Sequence, residues 1–175
     1  MREDANPIPV SQSRSIMTEL VFPTDTNHHG TMFGGTVMKY IDKISAIAAI
    51  RHCRKPVVTA STDSMDFVSP IRMGEAVELE AFVTWTHRSS MEVYVVVRAE
   101  NLFTGERRVT VTAFSTFVAL NEQGKPTAVP PVMPGNDQER KLHDSAPERH
   151  ALRMKRRQER FSTADSETTD DDRKL

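Results

Sequence analysis

The chain contains one long stretch of helical periodicity, and a run of long strands follows it. Apolar side chains recur at the spacing of one helix face from Val37 to Ala48, within a segment that runs from about residue 34 to residue 51. Further apolar side chains, among them Ile47, leave this segment little polar surface, so we expect the helix to be buried on most sides. Pro56 then ends it, because proline cannot continue a helix.

Five other segments have the β-branched and aromatic composition of strands. Apolar side chains alternate with other types most clearly between Val77 and Trp85. The turns after the third and fourth segments are short enough for hairpins, so the sheet is expected to be mainly antiparallel. The strand segments are 15–22, 57–68, 75–88, 91–101 and 107–120.

One helix and five strands predict an α+β architecture in which a single antiparallel sheet wraps around a long central helix. The sheet has one face to bury and only one helix to bury it on. The other face of the sheet and its long edges also need cover. A second copy of the chain is the simplest source of that cover, so we expect a homo-oligomer.

The 175 residues divide by composition into one domain and polar ends. We predict a flexible N-terminal lead-in over 1–13 and a single domain over 14–134. A charged, helix-favouring extension follows over 135–161, and a disordered acidic tail over 162–175. No second helix is expected before residue 137, because the preceding segment is rich in proline.

Charge and cysteine content indicate where the chain acts. A formal net charge of −1 gives no electrostatic reason to expect nucleic acid or a membrane as a partner, and the basic run 153–160 lacks interleaved aromatic residues. Cys53 is the single cysteine, which excludes an internal disulfide and fits a reducing compartment. The sequence shows neither a secretory signal nor an apolar run long enough for a membrane span. We expect a cytoplasmic protein in which Cys53 is a structural thiol.

Residues 25–45, DTNHHGTMFGGTVMKYIDKIS, join a polar, glycine-containing loop to the start of the helix, and we interpret them as the candidate active site. Gly34 and Gly35 allow the backbone to turn tightly and to come close to a ligand. A helix that begins there directs unpaired N–H groups and the positive end of its dipole at the ligand. A negative charge that develops in front of the helix would be stabilised.

Asp42 is the first candidate for chemistry, because a carboxylate on a buried helix is costly to keep charged unless it is paired or used. An ion pair with Lys39, one turn earlier, is an equally good interpretation on spacing alone. Met38, Ser45 and Ala49 share the face of Asp42, and their mostly small side chains suit a cavity wall or an interface better than water. This face favours the functional interpretation.

The loop before the helix carries two further candidates. The Asn27 amide is able to orient a water or a carbonyl oxygen, although asparagine in such a loop is most often a turn former. His28 and His29 do not predict a metal site, because adjacent imidazoles rarely point at one ion and no cluster of acids or cysteines supports them. Either histidine is a candidate for lining the substrate entry or for donating a proton.

The hairpin between the third and fourth strands contains Arg88, Ser89 and Ser90. The two serines are typical of a plain turn. An arginine beside two hydroxyl groups also forms a small seat for a phosphate. Both interpretations stay open on the sequence.

Several motifs occur together in a fixed order over residues 14–134. They are NHHGTMFGG with an acid seven residues after the second glycine, VTASTDSMDFVSPIRMGE, HRSS and RRVTVTAFSTFVAL. In this order they resemble the hotdog-fold acyl-CoA thioesterases. Within that family they are most similar to the bacterial cytoplasmic acyl-CoA hydrolases that resemble brain acyl-CoA hydrolase.

The resemblance implies a hotdog fold, two copies paired into one continuous sheet, and dimers that often assemble into hexamers with active sites between subunits. It implies that Asp42 is the catalytic acid, that Asn27 faces the acid of the partner subunit, and that the backbone at Gly34 and Gly35 polarises the thioester carbonyl. Arg88, Ser89 and Ser90 match a loop that lies near the nucleotide of CoA, and His29 is expected at the substrate entry. The charged extension beyond about residue 137 departs from the pattern.

The expected reaction is hydrolysis of an acyl-CoA thioester to free CoA and a carboxylic acid, with no cofactor beyond the CoA of the substrate. Asp42 either activates water as a general base or attacks the carbonyl directly. Two alternatives remain: an enoyl-CoA hydratase that uses His28 or His29, and a non-enzymatic acyl-CoA sensor. Neither acyl-chain length nor the size of the oligomer follows from the sequence.

Overall fold

The structure, a computed structural model, describes the backbone of residues 6–171 and the side chains of residues 6–159. The parts of the predicted lead-in and tail at 1–5 and 172–175 lie outside the described residues. A short 3₁₀ turn at Pro23–Asp25 precedes the long helix. The elements in chain order are β1 (Ile8–Pro9), α1 (Val10–Ser13), β2 (Ser15–Leu20), α2 (Gly34–Cys53), β3 (Val57–Phe67), β4 (Ala76–Thr86), β5 (Ser90–Glu100), β6 (Arg107–Ala119), β7 (Val132–Met133), α3 (Asp137–Asp144) and α4 (Ala146–Asp171).

Five strands form one sheet in the order β2-β4-β5-β6-β3, and every neighbouring pair is antiparallel. The sheet wraps around α2, whose buried face carries Val37, Ile41 and Ile44, each at most 2% exposed. These side chains pack against the inward-facing valines and alanines of β4, β5 and β6. The predicted α+β architecture is confirmed.

The other side of α2 faces outward in a single chain. Met38 is 50% exposed and Ile50 is 45% exposed. The expectation that α2 is buried on most sides is therefore wrong for one copy, because one curved sheet surrounds only one side of a helix. An apolar helix face of this kind is left for a partner to cover.

The N-terminal segment is ordered from residue 8, where the sequence predicts a flexible lead-in over 1–13. β1 pairs in parallel with β7 near the end of the domain. Val10 is 1% exposed, and the buried Ser13 Oγ donates to the Val10 carbonyl and accepts from the Val83 N–H. A four-residue helix that follows a proline has too little periodicity to be recognised in the sequence.

The proline-rich segment after β6 packs against the end of α2. His52 Nε2 lies 3.0 Å from the Pro130 carbonyl oxygen, and Lys55 Nζ donates to the Ala128 carbonyl at 2.8 Å. The last residues of α2 therefore fix the course of a segment that has little secondary structure of its own.

The C-terminal helices α3 and α4 lie on the outer face of the sheet. Asn136 caps α3 through a hydrogen bond from the Glu139 N–H, so the first C-terminal helix begins at residue 137 as the composition predicts. The outer face, which we expected a second copy to cover, is thus covered in part by the chain itself. α4 continues to Asp171, whereas the sequence predicts a disordered tail from residue 162.

Candidate active site

The loop before α2 is held together by Asn27. Its N–H donates to the Thr31 carbonyl at 2.8 Å, and its Oδ1 accepts from the His29 N–H at 2.9 Å. Gly30, at a φ of 71°, closes the turn with a hydrogen bond to the Asn27 carbonyl. Asn27 is therefore a turn former within its own chain, and its side chain lies at the partly buried edge of the loop.

The start of α2 presents backbone N–H groups to an open space. Phe33 precedes the helix without a side-chain cap, and its carbonyl accepts from Thr36 and Val37. The N–H groups of Gly34 and Gly35 have no acceptor among the described residues, as expected for the first helical positions. An added Cβ on Gly35 would lie 2.9 Å from Phe33 Cε1, so glycine lets the aromatic ring cover the helix start.

A cleft of about 320 Å³ lies in front of this helix start. Gly34 forms part of its wall, together with polar groups of Thr31 and Ser69. A volume of this size is at the small end of ligand sites, and an apolar wall suits an acyl chain. Its apolar lining comes from Met32, Val37, Phe67, Val68, Pro70 and Ile71.

Asp42 lies on the exposed side of α2, two turns beyond the helix start. Its Oδ1 accepts a hydrogen bond of 2.8 Å from Thr59 Oγ1 on β3. No ion pair joins Asp42 to Lys39 among the residues with described side chains, and Lys39 Nζ instead lies 5.2 Å from the ring centroid of Tyr40. The alternative of a helix-surface ion pair is therefore not observed, and the burial cost expected for Asp42 does not arise in one copy.

Thr59 is a residue that the sequence interpretation missed. A threonine in a strand is ordinary, and only the packing of β3 beside α2 brings its hydroxyl to Asp42. β3 is also an edge strand of the sheet, with Val58 46% exposed and Phe67 55% exposed. Asp42 and Thr59 thus lie next to an unpaired edge.

The helix start and Asp42 of one chain do not meet at the same point. Eight residues separate Gly34 from Asp42, and the helical rise places them about 12 Å apart along α2. A donor to a carbonyl oxygen and a base for the carbonyl carbon must both lie within about 3 Å of the reacting group. The structure therefore brings Asn27 near the helix start and Thr59 near Asp42, in two separate half-sites.

The Arg88–Ser90 hairpin lies at the far end of α2. The Ser89 carbonyl accepts from the Ala119 N–H at 3.0 Å, and the Arg88 carbonyl accepts from the Val129 N–H at 3.2 Å. These contacts place the hairpin beside the turn that follows β6. Neither Arg88 nor Arg54 forms an ion pair with an acid among the residues whose side chains are described.

A second cleft, of about 470 Å³, opens between the end of α2 and the turn after β6. Arg54 ends α2 there in the left-handed conformation, with a φ of 54°, and Lys55 follows it. Glu122 is the acid in the wall of the cleft. The remaining lining residues are Pro56, Leu120, Asn121, Gln123 and Thr127.

The histidines and the cysteine have other surroundings. The rings of His28 and His29 lie 3.8 Å apart on the exposed loop, and no group of three or more possible metal ligands occurs among the described residues. Cys53 is buried, its Sγ donates to the Lys55 carbonyl, and burial raises the pKa of the thiol. A thiol of raised pKa is a poor nucleophile, which agrees with a structural role.

Known proteins are similar to this chain in sequence and in fold. The profile of the thioesterase superfamily matches residues 29–103. Over 159 residues the chain is 48% identical to the uncharacterized acyl-CoA thioester hydrolase YkhA of Bacillus subtilis, and the match covers 91% of this chain and 92% of that protein. The chain is 38% identical to the rat cytosolic acyl coenzyme A thioester hydrolase. This match covers 86% of this chain but only 40% of the rat protein.

Solved structures agree. The acyl-CoA hydrolase of Staphylococcus aureus, in complex with butyryl-CoA and CoA, superposes with a TM-score of 0.89 at 43% identity over 93% of this chain and 99% of that chain. An apo-hexameric acyl-CoA thioesterase superposes with a TM-score of 0.84 at 53% identity over 86% of this chain and 96% of that one. Three further structures of the S. aureus enzyme contain an alanine in place of an aspartate, a threonine or an asparagine.

A five-stranded antiparallel sheet wrapped around one long helix is the hotdog fold. One half-site lies at the start of this helix, and the other lies beside the edge strand β3. The chain belongs to the thioesterase superfamily. The match over 93% of the chain also extends well past residue 137. The charged extension is therefore shared with a relative, and the expectation that it departs from the family pattern is wrong.

None of the described helices combines the length and the apolar composition that crossing a membrane requires.

Proposed function

We propose that this protein hydrolyses acyl-CoA thioesters to free CoA and a carboxylic acid, at composite sites that two copies form together. The observation that carries the proposal is the division of the site. The N–H groups of Gly34 and Gly35 have no acceptor among the described residues, and Gly34 lines a mostly apolar cleft, whereas Asp42 lies about 12 Å farther along the helix. The half-site at the helix start has N–H donors but no base, and the half-site at Asp42 has the carboxylate but no such donors.

A simple symmetry joins the halves. A two-fold axis beside Met38, midway between Gly34 and Asp42, sets two α2 helices antiparallel and brings Asp42 of each copy to the helix start of the other. Met38 is 50% exposed, as an interface residue of this kind must be in a single copy. The open edge of β3 faces the same partner, so the two sheets join into one.

In this arrangement the thioester carbonyl oxygen accepts from the N–H groups of Gly34 and Gly35, and the acyl chain occupies the cleft. Asp42 of the partner subunit takes a proton from water, whose oxygen bonds to the carbonyl carbon. The carbon–sulfur bond then breaks, and the CoA thiolate receives the proton. Direct attack by Asp42, followed by hydrolysis of the resulting anhydride, is the alternative course. The helix start stabilises the oxyanion in either course.

Thr59 and Asn27 support the carboxylate. The Thr59 hydroxyl holds one oxygen of Asp42 in place, and Asn27 faces the other from the partner's loop, where its amide positions the water. The asparagine, aspartate and threonine replaced in the S. aureus variants are 15 and 17 positions apart, the separations of Asn27, Asp42 and Thr59 here. This agreement supports assigning the same three residues to the site.

The nucleotide of CoA is proposed to bind in the second cleft. The hairpin of Arg88, Ser89 and Ser90 is hydrogen-bonded to Ala119 and Val129, on either side of the turn that forms part of its wall. Arg54 and Lys55 in the wall add positive charge that suits phosphate groups. Arg54 follows Asp42 by twelve residues, about 18 Å along α2, which the long pantetheine arm of CoA bridges. His29, exposed in the loop of the other subunit, is assigned to the substrate entry.

The single buried thiol and the naming of the rat relative as cytosolic support a cytoplasmic location. The hexameric relative supports a hexamer built from such dimers.

Release of thiol from a series of short, medium and long acyl-CoAs tests the function directly. Asp42→Asn keeps the size of the side chain and the hydrogen bond with Thr59 but removes the base, so turnover should fall by about 10²- to 10⁴-fold. Lys43→Gln, on the same exposed surface, is the matched control and should retain activity. Undiminished turnover in Asp42→Asn, with an intact oligomer, would remove Asp42 from the mechanism.

The alternatives have their own readouts. Loss of the double bond of an enoyl-CoA without thiol release would indicate a hydratase. Saturable binding of acyl-CoA by the wild type without thiol release at any chain length would indicate a sensor.

A further inference from the structure

Two phenylalanine side chains lie beside the start of α2, and the proposed mechanism gives them no role. Phe33 is 58% exposed and Phe67 is 55% exposed. A single exposed apolar side chain needs no explanation, whereas two of them at one ligand site indicate contact with the ligand.

Phe33 is fixed directly in front of the helix. Its N–H donates to the Asp25 carbonyl at 2.8 Å, and its carbonyl accepts from the Thr36 and Val37 N–H groups at 2.9 and 3.2 Å. The ring lies against Gly35, where an added Cβ would be 2.9 Å from Cε1 and 3.1 Å from Cδ1. Hydrogen bonds on both sides of the residue therefore hold this ring close to the helix start.

Phe67 is fixed by the sheet. It is the last residue of β3 and pairs in register with Val111 of β6, a buried residue of the core. Residues that pair across antiparallel strands point to the same face, so the Phe67 ring points toward α2. A Cβ added to Gly34 would lie 3.8 Å from Phe67 Cζ, so the ring reaches the first residue of the helix. It stays exposed because β3 is an edge strand.

The two rings approach the helix start from different sides. Successive residues of an α-helix are rotated by about 100° around its axis, and one ring lies beside position 34 and the other beside position 35. Each Cα–Cβ bond also tilts toward the N-terminus of the helix, so the rings lie on the side to which the first N–H groups point. We call Phe33 and Phe67 together the aromatic slot.

The floor of the first cleft closes the space below the slot. Met32, Val37 and Ile71 line the cleft, belong to the packed core and are at most 7% exposed. A carbonyl oxygen about 3 Å from the helix N–H groups places the next carbon of the acyl chain within about 6 Å of them. That carbon then has an aromatic ring on two sides and the core beneath it.

We propose that the aromatic slot selects straight-chain acyl groups and rejects those with a branch at the carbon next to the carbonyl. The inference rests on the proposed function for the position of the thioester carbonyl. A straight chain has only hydrogens beside its path at that carbon, whereas a methyl branch needs space that one of the rings occupies. One such methyl group changes kcat/KM by about 10- to 200-fold in an apolar site.

Butyryl-CoA and isobutyryl-CoA test the slot, because they are isomers that differ only in the branch. Each enzymatic rate is divided by the rate of alkaline hydrolysis of the same thioester, which removes the intrinsic effect of the branch. The wild type should then prefer butyryl-CoA by about tenfold or more. Phe67→Ala should lower this preference about fivefold or more by raising kcat/KM for isobutyryl-CoA, a gain that a folding defect does not produce.

Further variants set the scale of this effect. Phe67→Leu keeps an apolar side chain and should lower the preference less than Phe67→Ala. Phe33→Ala, on the other side of the slot, should act in the same direction as Phe67→Ala. Phe103→Ala is the matched control, because Phe103 is 97% exposed in the hairpin between β5 and β6 and is not in the wall of the cleft. It should keep the wild-type preference.

Binding separates a failure of the slot from a failure of the proposed function. The probes are ketone analogues of the two substrates, in which a methylene between the sulfur and the carbonyl prevents hydrolysis, and calorimetry measures their binding. Hydrolysis of both isomers at equal corrected rates, or a wild-type preference retained by both Phe67→Ala and Phe33→Ala, would overturn the slot and leave the proposed function intact. Absence of thiol release, together with tighter binding of the straight ketone that Phe67→Ala abolishes, would contradict the proposed function and support the slot. Equal binding of the two ketones without thiol release would overturn both.

Discussion

The two long helices cover opposite faces of one sheet by different physical means. α2 presents Val37, Ile41 and Ile44 to the inner face and is held by apolar burial. α4 meets the outer face through Arg149, which donates two hydrogen bonds to Glu92 and stacks 4.2 Å above the ring centroid of Phe114. Apolar packing tolerates adjustment, whereas a buried ion pair depends on both partners.

The difference also separates the roles of the helices. The exposed face of α2 carries Asp42 on a helix that the inner face already holds in place, so its exposed residues are available for chemistry. The contacts of α4 are structural within one chain, and the ion pairs of Arg149 and Arg153 each include a nearly inaccessible carboxylate: the side chains of Glu92 and Asp63 are 1% and 6% exposed. Loss of Arg149 or Arg153 therefore leaves a buried charge behind.

The largest expected effect concerns that buried charge. Among the described residues, Arg149→Met leaves the Glu92 carboxylate with the Thr84 hydroxyl as its one partner. This change should lower the free energy of unfolding by about 3–5 kcal/mol. The double variant Glu92→Met/Arg149→Met removes both charges and should be more stable than the single variant. Urea unfolding at one fixed chain concentration measures both.

Arg140→Met on α3 is the control for this prediction, because Arg140 is 62% exposed and should contribute less than about 1 kcal/mol. A double variant no more stable than Arg149→Met would show that the cost lies in packing against Phe114 rather than in the unpaired carboxylate.

The sequence allowed much of the α2 side of the molecule to be predicted and little of the α4 side. A 3.6-residue period and alternating strands depend on neighbouring positions, so α2 and the five strands were predicted to within a few residues. The pairs Arg149–Glu92 and Thr59–Asp42 join residues far apart in sequence, and no local pattern marks them. The division of the site between two copies followed from the resemblance and from no property of the isolated stretch 25–45.

Each of the two helices also contains a histidine whose pKa is lowered in the folded chain. His52 in α2 is fully buried, and burial lowers its pKa, although its hydrogen bond with the Pro130 carbonyl acts in the opposite direction. Its Nδ1 has no hydrogen-bond partner among the described residues, so a proton added there would be a buried charge without an acceptor. His150 in α4 also has a lowered pKa, first through burial and then through the charges of Arg153 and His87.

The direction in which stability changes with pH follows from proton binding. Below pH 6.5, the pKa of histidine in the unfolded chain, the unfolded chain binds protons that the folded chain resists. The contribution of these two histidines to stability is therefore full above this pH and is lost as the pH falls below it. We expect a lower unfolding midpoint at pH 5.5 than at pH 7.5. His52→Gln should remove more of this difference than His150→Gln, because solvent screens the partly exposed His150. A larger effect at His150 would place the pH sensitivity in α4 instead.

The smallest expected effect tests the far end of α2. Arg54→Ala should raise the KM for acyl-CoA about two- to fivefold, the range for an exposed charge pair, and leave kcat unchanged because Arg54 lies about 18 Å along the helix from Asp42. The same variant should hydrolyse an acyl-pantetheine, which lacks the nucleotide, at the wild-type rate. Lys125→Ala, in the turn next to the second cleft but not in its wall, is the matched control. An equal loss on both thioesters would mean that Arg54 supports the end of the helix rather than the phosphates of CoA.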